Sequence, residues 1–146
     1  MRSRRRAQGL LAFYIAAAGT AAFWPSPVDA PLSSQLASML GSLHRLGAPE
    51  WFNYMLVEFC ANVALFMPWG ALLACLLTKN ILPAAALSGF GASSIIELGQ
   101  FFLLAQRHAT WQDIGANTLG AVLGAALVMT IRSRRAGRRR PARNQA

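Results

Sequence analysis

The stretch EFCANVALFMPWG, residues 58–70, lies inside a long apolar run. It nevertheless carries a glutamate, an asparagine four residues later, and a proline two residues before a glycine. The run around it extends over residues 54–77, long enough to cross a hydrocarbon layer that takes about 20 residues of helix. Working outward, three further apolar runs appear at 9–24, 81–104 and 114–131, the first of them short. Only Thr78-Lys79-Asn80 separates the second run from the third, a tight helical hairpin turn.

Composition agrees with a chain that lives in lipid. Of 146 residues, 55% are hydrophobic and 13% charged, against about a quarter charged in an ordinary soluble domain. The length suits one domain. The sequence therefore predicts an all-α integral membrane protein, a four-transmembrane-helix bundle over 9–131, with a basic tail at 1–8 and an arginine-rich tail at 132–146. Arg2, Arg4, Arg5 and Arg6, then Lys79, then the arginines from Arg132 to Arg143 fall on one side of this arrangement; Arg45 and Arg107 fall on the other. Positive charge marks the cytoplasmic side, so both termini are expected there, in a bacterial plasma membrane. The first run also has the form of a signal peptide, with a basic start and small residues around 18–22; removing it would leave the other three spans oriented as before. Pro31, directly after Val28-Asp29-Ala30, is a poor context for cleavage.

The tail RSRRAGRRRPARNQA reads as an orientation signal that rests on anionic lipid. No aromatic residues interleave its arginines to stack bases, so nucleic acid is not an expected partner. In the outer loop, 25–53, residues Leu32, Leu36, Met39, Leu40, Leu43 and Leu46 recur at helical spacing, with Ser34, Gln35, Ser38, Ser42 and Arg45 mainly opposite. That pattern predicts a short amphipathic helix over 31–47, lying in the outer interface or packed on the bundle end. Cys60 and Cys75 stand about 22 Å apart along one helix, too far for a disulfide, and read as buried small apolar side chains. No cysteine or histidine spacing suggests a metal, and no cofactor is expected.

Placed by depth, the polar residues of the last three spans share one layer. Glu58 and Asn62, Glu97 and Gln100, and Asp113 and Asn117 all lie near the outer ends of their helices, with Arg107 just beyond. Spacings of three or four put each pair on one helical face. The face of Asp113 and Asn117 continues through Gly120 and Gly124, a GxxxG that admits a close neighbour. Pro68 is expected to free a carbonyl near Ala64 and Gly70 to admit another helix, opening the second span at mid-membrane. Carboxylates in spans are costly and face the bundle interior or a wet cavity. Three of them against the single guanidinium of Arg107 leave acid in excess. His108 reads as a loop residue.

These residues resemble a known family. WPSPVD after the first run, Asn62-Val-Ala-Leu-Phe-Met-Pro68-Trp-Gly70, Ile96-Glu97-Leu-Gly-Gln100, and Arg107, Asp113, Asn117, Thr118, Leu119, Gly120 and Gly124 are similar in order and spacing to the VanZ-like family of small bacterial membrane proteins. Trp69 departs from the aliphatic residue expected there. The resemblance implies a multi-pass cell-envelope protein; its namesake accompanies glycopeptide antibiotic resistance and lowers susceptibility to teicoplanin, and that resistance is not assigned to this chain. The expected function is a non-catalytic accessory or binding protein whose outer cluster (Glu58, Asn62, Glu97, Gln100, Arg107, Asp113 and Asn117) recognises the polar headgroup of an envelope lipid or lipidated compound. Asn62, Gln100 and Asn117 would donate hydrogen bonds to it and Arg107 would meet an anionic group. An intramembrane enzyme with one carboxylate as general base, a transporter component and a purely structural bundle stay open beside this reading, and GxxxG leaves room for a homo-oligomer.

Overall fold

The computed structural model describes residues 2–24, 30–104 and 110–138. Among them the protein is all helical: α1 (Arg2–Ala22), α2 (Ala30–Arg45), α3 (Tyr54–Leu76), α4 (Ile81–Leu103) and α5 (Trp111–Arg138). Three of these, α3, α4 and α5, are long and apolar enough to span a membrane; α1 is not among them.

Local chemistry sets most of the ends. Gly47, at φ +97°, closes α2 in a Schellman turn: Ala48 N–H donates to the Leu43 carbonyl and Gly47 N–H to that of His44, each at 3.0 Å. Asn53 caps α3, its Oδ1 accepting from Leu56 N–H at 3.2 Å. Asn80 turns the chain into α4 at φ 51°, a left-handed conformation that asparagine adopts more readily than most residues. Pro83 follows in the first turn of α4, where no intrahelical N–H is lost. The spans match the expected runs within a residue for α3 and α4. In contrast, α5 begins three residues earlier than expected and continues through Arg138, because arginine is a good helix former and the ladder need not stop at the end of the apolar run.

α5 is the centre, packing most extensively on α3 and next on α4. Its buried face is Ala116, Asn117, Gly120, Ala121, Gly124 and Ala125. α4 buries Ala85, Gly89, Ser93, Glu97 and Gln100, and α3 buries Phe66, Gly70 and Ala74. A Cβ on Gly70 would overlap the Ala121 carbonyl; one on Gly120 or Gly124 would overlap the carbonyls of Val63 or Met67. Large apolar side chains such as Leu87, Ile95, Phe102 and Leu127 point outward. Small residues inside and large apolar ones outside is the arrangement expected where lipid is the solvent, since helices there gain by close approach rather than by hiding oil.

One expectation changes here. Cys60 and Cys75 are exposed on α3 rather than buried; in lipid an apolar thiol gains nothing from facing inward. α3 carries Pro68 inside a single helix, and Gly70 admits α5 as expected. The hydroxyl of Tyr14 in α1 donates to the carbonyl of Leu65, one turn before that proline. Trp69 packs tilted on Phe66, centroids 6.1 Å apart, and its indole N–H reaches Ser88 Oγ on α4 at 3.1 Å, which accounts for an aromatic residue at that position.

Candidate functional site

The chain direction alternates, so the start of α3, the end of α4, the start of α5 and the end of α1 share one end of the bundle. Asn62 Nδ2 on α3 donates to Asp113 Oδ1 on α5 at 2.6 Å. Glu97 on α4, only 6% exposed, accepts from the backbone N–H of Thr110 through Oε2 at 3.0 Å. Thr110 in turn caps α5, its Oγ1 accepting from Asp113 N–H at 3.1 Å. Asn62, Asp113, Thr110 and Glu97 thus form a connected set joining three helices.

One turn deeper, Asn117 Nδ2 donates to Ser93 Oγ at 2.8 Å, a buried pair between α5 and α4. The other half of that amide, Oδ1, is buried and has no hydrogen-bond partner. Gln100, also 6% exposed, turns the other way: its Nε2 donates to the carbonyl of Ala22 at 2.8 Å, one of the last carbonyls of α1 that the helix cannot satisfy itself. Beside it the ring of Phe23 lies over Gly99, where a Cβ would stand 2.6 Å from the ring. Glu58 is exposed near the start of α3. Arg107 and His108 lie outside the described residues, as do Pro25 to Asp29 of the WPSPVD stretch.

The structure therefore brings Asn62, Glu97, Asp113 and Asn117 into adjoining contacts, sets Gln100 against α1, and leaves Glu58 at the rim. The three amides expected to donate toward a ligand each direct a nitrogen at a protein acceptor. Thr110 and Ser93 are participants that sequence reading missed. Thr110 was signalled by T-x-x-D, a variant of the helix-start capping box. Ser93 was signalled by its place in the stripe Ala85, Gly89, Ser93, Glu97 of α4, four residues apart throughout.

The opposite end is chemically different. Arg132 extends from α5 to the carbonyl of Ala74 at 2.6 Å, closing the end of α3, above a core of Ala74, Ala85 and Ala125. Lys79 and the exposed Arg134, Arg135 and Arg138 share this end.

The profile of the VanZ/LLP1 family matches residues 11–132, which takes in all of the polar set and the helices that carry it. No curated protein and no solved structure matches the chain. With this extent of the sequence matched, the chain belongs to the VanZ/LLP1 family.

Proposed function

We propose that this VanZ-family chain is a cell-envelope protein of the bacterial plasma membrane. It would act as a non-catalytic binding or accessory protein that recognises the polar headgroup of an envelope lipid or lipidated compound at its acid-and-amide end. The observation that carries this reading is where polarity is buried. Glu97, Gln100 and Asn117 are buried in the helix contacts toward one end, with Ser93 below them at the middle of α4, while the rest of those contacts are mostly alanine and glycine. Buried polar groups in a span cost free energy, and holding helices together does not require so many in one layer.

In this reading α1 is a fourth span and both termini are cytoplasmic. Ala7, Leu11, Tyr14 and Ala18 form its inward stripe, and Leu10, Phe13 and Ile15 stay exposed, an apolar outer face suited to lipid. Arg4, Arg5 and Arg6, all exposed, extend toward headgroups at the basic end. α2 lies in the outer interface: Leu36 and Leu40 turn inward while Met39, Leu43 and Leu46 remain open to acyl chains.

The test is lipid retention. Purified wild type, Glu97→Gln and Arg107→Ala are compared by native mass spectrometry after mild extraction. Wild type is expected to carry bound lipid that both variants lose; equal lipid on all three, correctly folded, refutes the proposal. A second reading, a polar layer that only ties helices, draws on the internal bonds of Asn62, Gln100 and Asn117. It predicts that neutral substitutions lower stability with no change in lipid retention.

A further inference from the structure

We infer that the guest is a membrane-inserted lipid and that one of its acyl chains lies in the groove between α4 and α5. The inference rests on the headgroup reading above and concerns the apolar half of the same guest. The groove has a volume of about 480 Å³ and is walled by Phe90 on α4 and by Trp111, Ile114, Gly115, Leu119 and Val122 on α5. Both helices are long and apolar enough to span, so the medium that meets this groove is hydrocarbon. At Gly115 an added Cβ would find nothing within 4 Å, which leaves a dent in the helix surface. The hydroxyl along the groove, that of Thr118, donates to the Ile114 carbonyl of its own helix at 2.7 Å. Below Trp111 the lining therefore offers no charge and no free side-chain donor, which suits a hydrocarbon guest.

Length and position select an acyl chain. From Trp111 to Val122 the helix rises about 16 Å, close to half of a hydrocarbon core about 30 Å thick. The groove thus runs the depth of one leaflet. Trp111, 82% exposed, stands at its outer end, where indole rings favour the membrane interface. The groove also continues from the polar set. Thr110 and Asp113 lie within one turn of Trp111 and Ile114 on the same helix, so a headgroup held there leaves its tail at the head of the groove. A second helix fits less well. Helices associate in lipid by bringing small residues together, and the small face of α5, at Gly120 and Gly124, is already filled by α3. A helix with its side chains is about 10–12 Å across, while the groove offers it one glycine among branched and aromatic walls. A linear chain needs no wider gap.

The experiment places a photoreactive diazirine analogue of leucine at position 119 or 123 of the full chain. Leu119 lines the groove and Leu123, one turn on, lies outside it, yet the two are almost equally exposed, at 42% and 43%. Each protein is reconstituted in vesicles of phosphatidylethanolamine and phosphatidylglycerol, extracted in mild detergent, irradiated, and weighed intact for a covalent phospholipid adduct. The adduct at 119 is expected to exceed that at 123 by at least about threefold, the occupancy ratio that about 0.6 kcal/mol gives. Gly115→Phe, which fills the groove, is expected to bring position 119 down to the level of 123, with thermal unfolding monitored alongside. The comparison of 119 with 123 stands even where that variant does not fold. Equal adducts at the two positions mean ordinary surrounding lipid and overturn the inference, as does a detergent adduct alone at 119. A crosslink from 119 to a second copy of the chain overturns it too. Equal adducts together with loss of bound lipid in Glu97→Gln leave the headgroup reading standing. An excess at 119 that persists in Glu97→Gln keeps the acyl site and removes the headgroup reading.

Discussion

The contact between α3 and α5 makes a quantitative test of the fold. At Gly124 an added methyl would overlap the Met67 carbonyl and lie 2.9 Å from Met67 Cα. Ordinary contact to that atom begins at 3.4 Å, so the helices must part by at least the difference there and by more at the carbonyl. Two rigid helices cannot separate at one point only: Gly120 against Val63 and Gly70 against Ala121 lie on the same line and open together. A gap of about 0.5–1 Å already forfeits a quarter to a half of the dispersion attraction for the atoms involved. Gly124→Ala is therefore expected to destabilise by about 1–3 kcal/mol. Gly115→Ala lies on the same helix with nothing within 4 Å of the new Cβ. It is expected to be neutral or stabilising by up to about 1 kcal/mol, since alanine is the better helix former. The assay is thermal unfolding of both variants in one detergent, followed by size-exclusion chromatography. A Gly124→Ala variant as stable as wild type, or a Gly115→Ala variant as damaged as Gly124→Ala, would refute the packing.

Other consequences are open to direct measurement. Thr110→Val removes the cap on α5 and should cost about 1 kcal/mol in the same assay, with Thr110→Ser largely restoring it. Asn62→Ala and Asp113→Ala, alone and combined, should show a coupling of about 0.6–1.7 kcal/mol, the range for interhelical hydrogen bonds in membranes; strictly additive losses would mean the pair does not interact. Cys60 and Cys75, exposed on a helix apolar enough to span, should react in vesicles with an apolar maleimide and resist a charged, impermeant one. Rapid labelling by the charged reagent would place that face in water.

Much of the architecture was legible because its signals are local. Gly47 with Pro49 two residues on, Asn53 before Tyr54, and Asn80 before Ile81 each mark an end by their own backbone chemistry. The polar layer was legible because depth in a span is set by sequence distance from its ends. What escaped was direction within a helix. In water an apolar residue such as Cys60 is drawn inward, but in lipid both faces are apolar, and the inward one is recognised only by small residues. The stripe of Gly70 and Ala74 does mark it, and Cys60 and Cys75 lie off that stripe. The partners of the amides escaped for a related reason: Gln100 bonds a backbone carbonyl of Ala22, and no side-chain pattern announces a free carbonyl at the end of another helix.

α1 illustrates how such carbonyls decide membership in a bundle. By apolar length it falls short of a span, and its basic start resembles a segment that could be removed. It nevertheless makes specific contacts with α3 and α4. Tyr14 serves the Leu65 carbonyl on α3, in the turn that Pro68 weakens. The Ala22 carbonyl receives Gln100, and Phe23 fills the place left open by Gly99. Without α1, the buried side-chain amide of Gln100 would lose its partner, the carbonyl of Ala22, and an unmet buried polar group is costly. Gly99 and Gln100 are thus the two neighbouring positions of α4 that meet the end of α1, one through the ring of Phe23 and one through the carbonyl of Ala22.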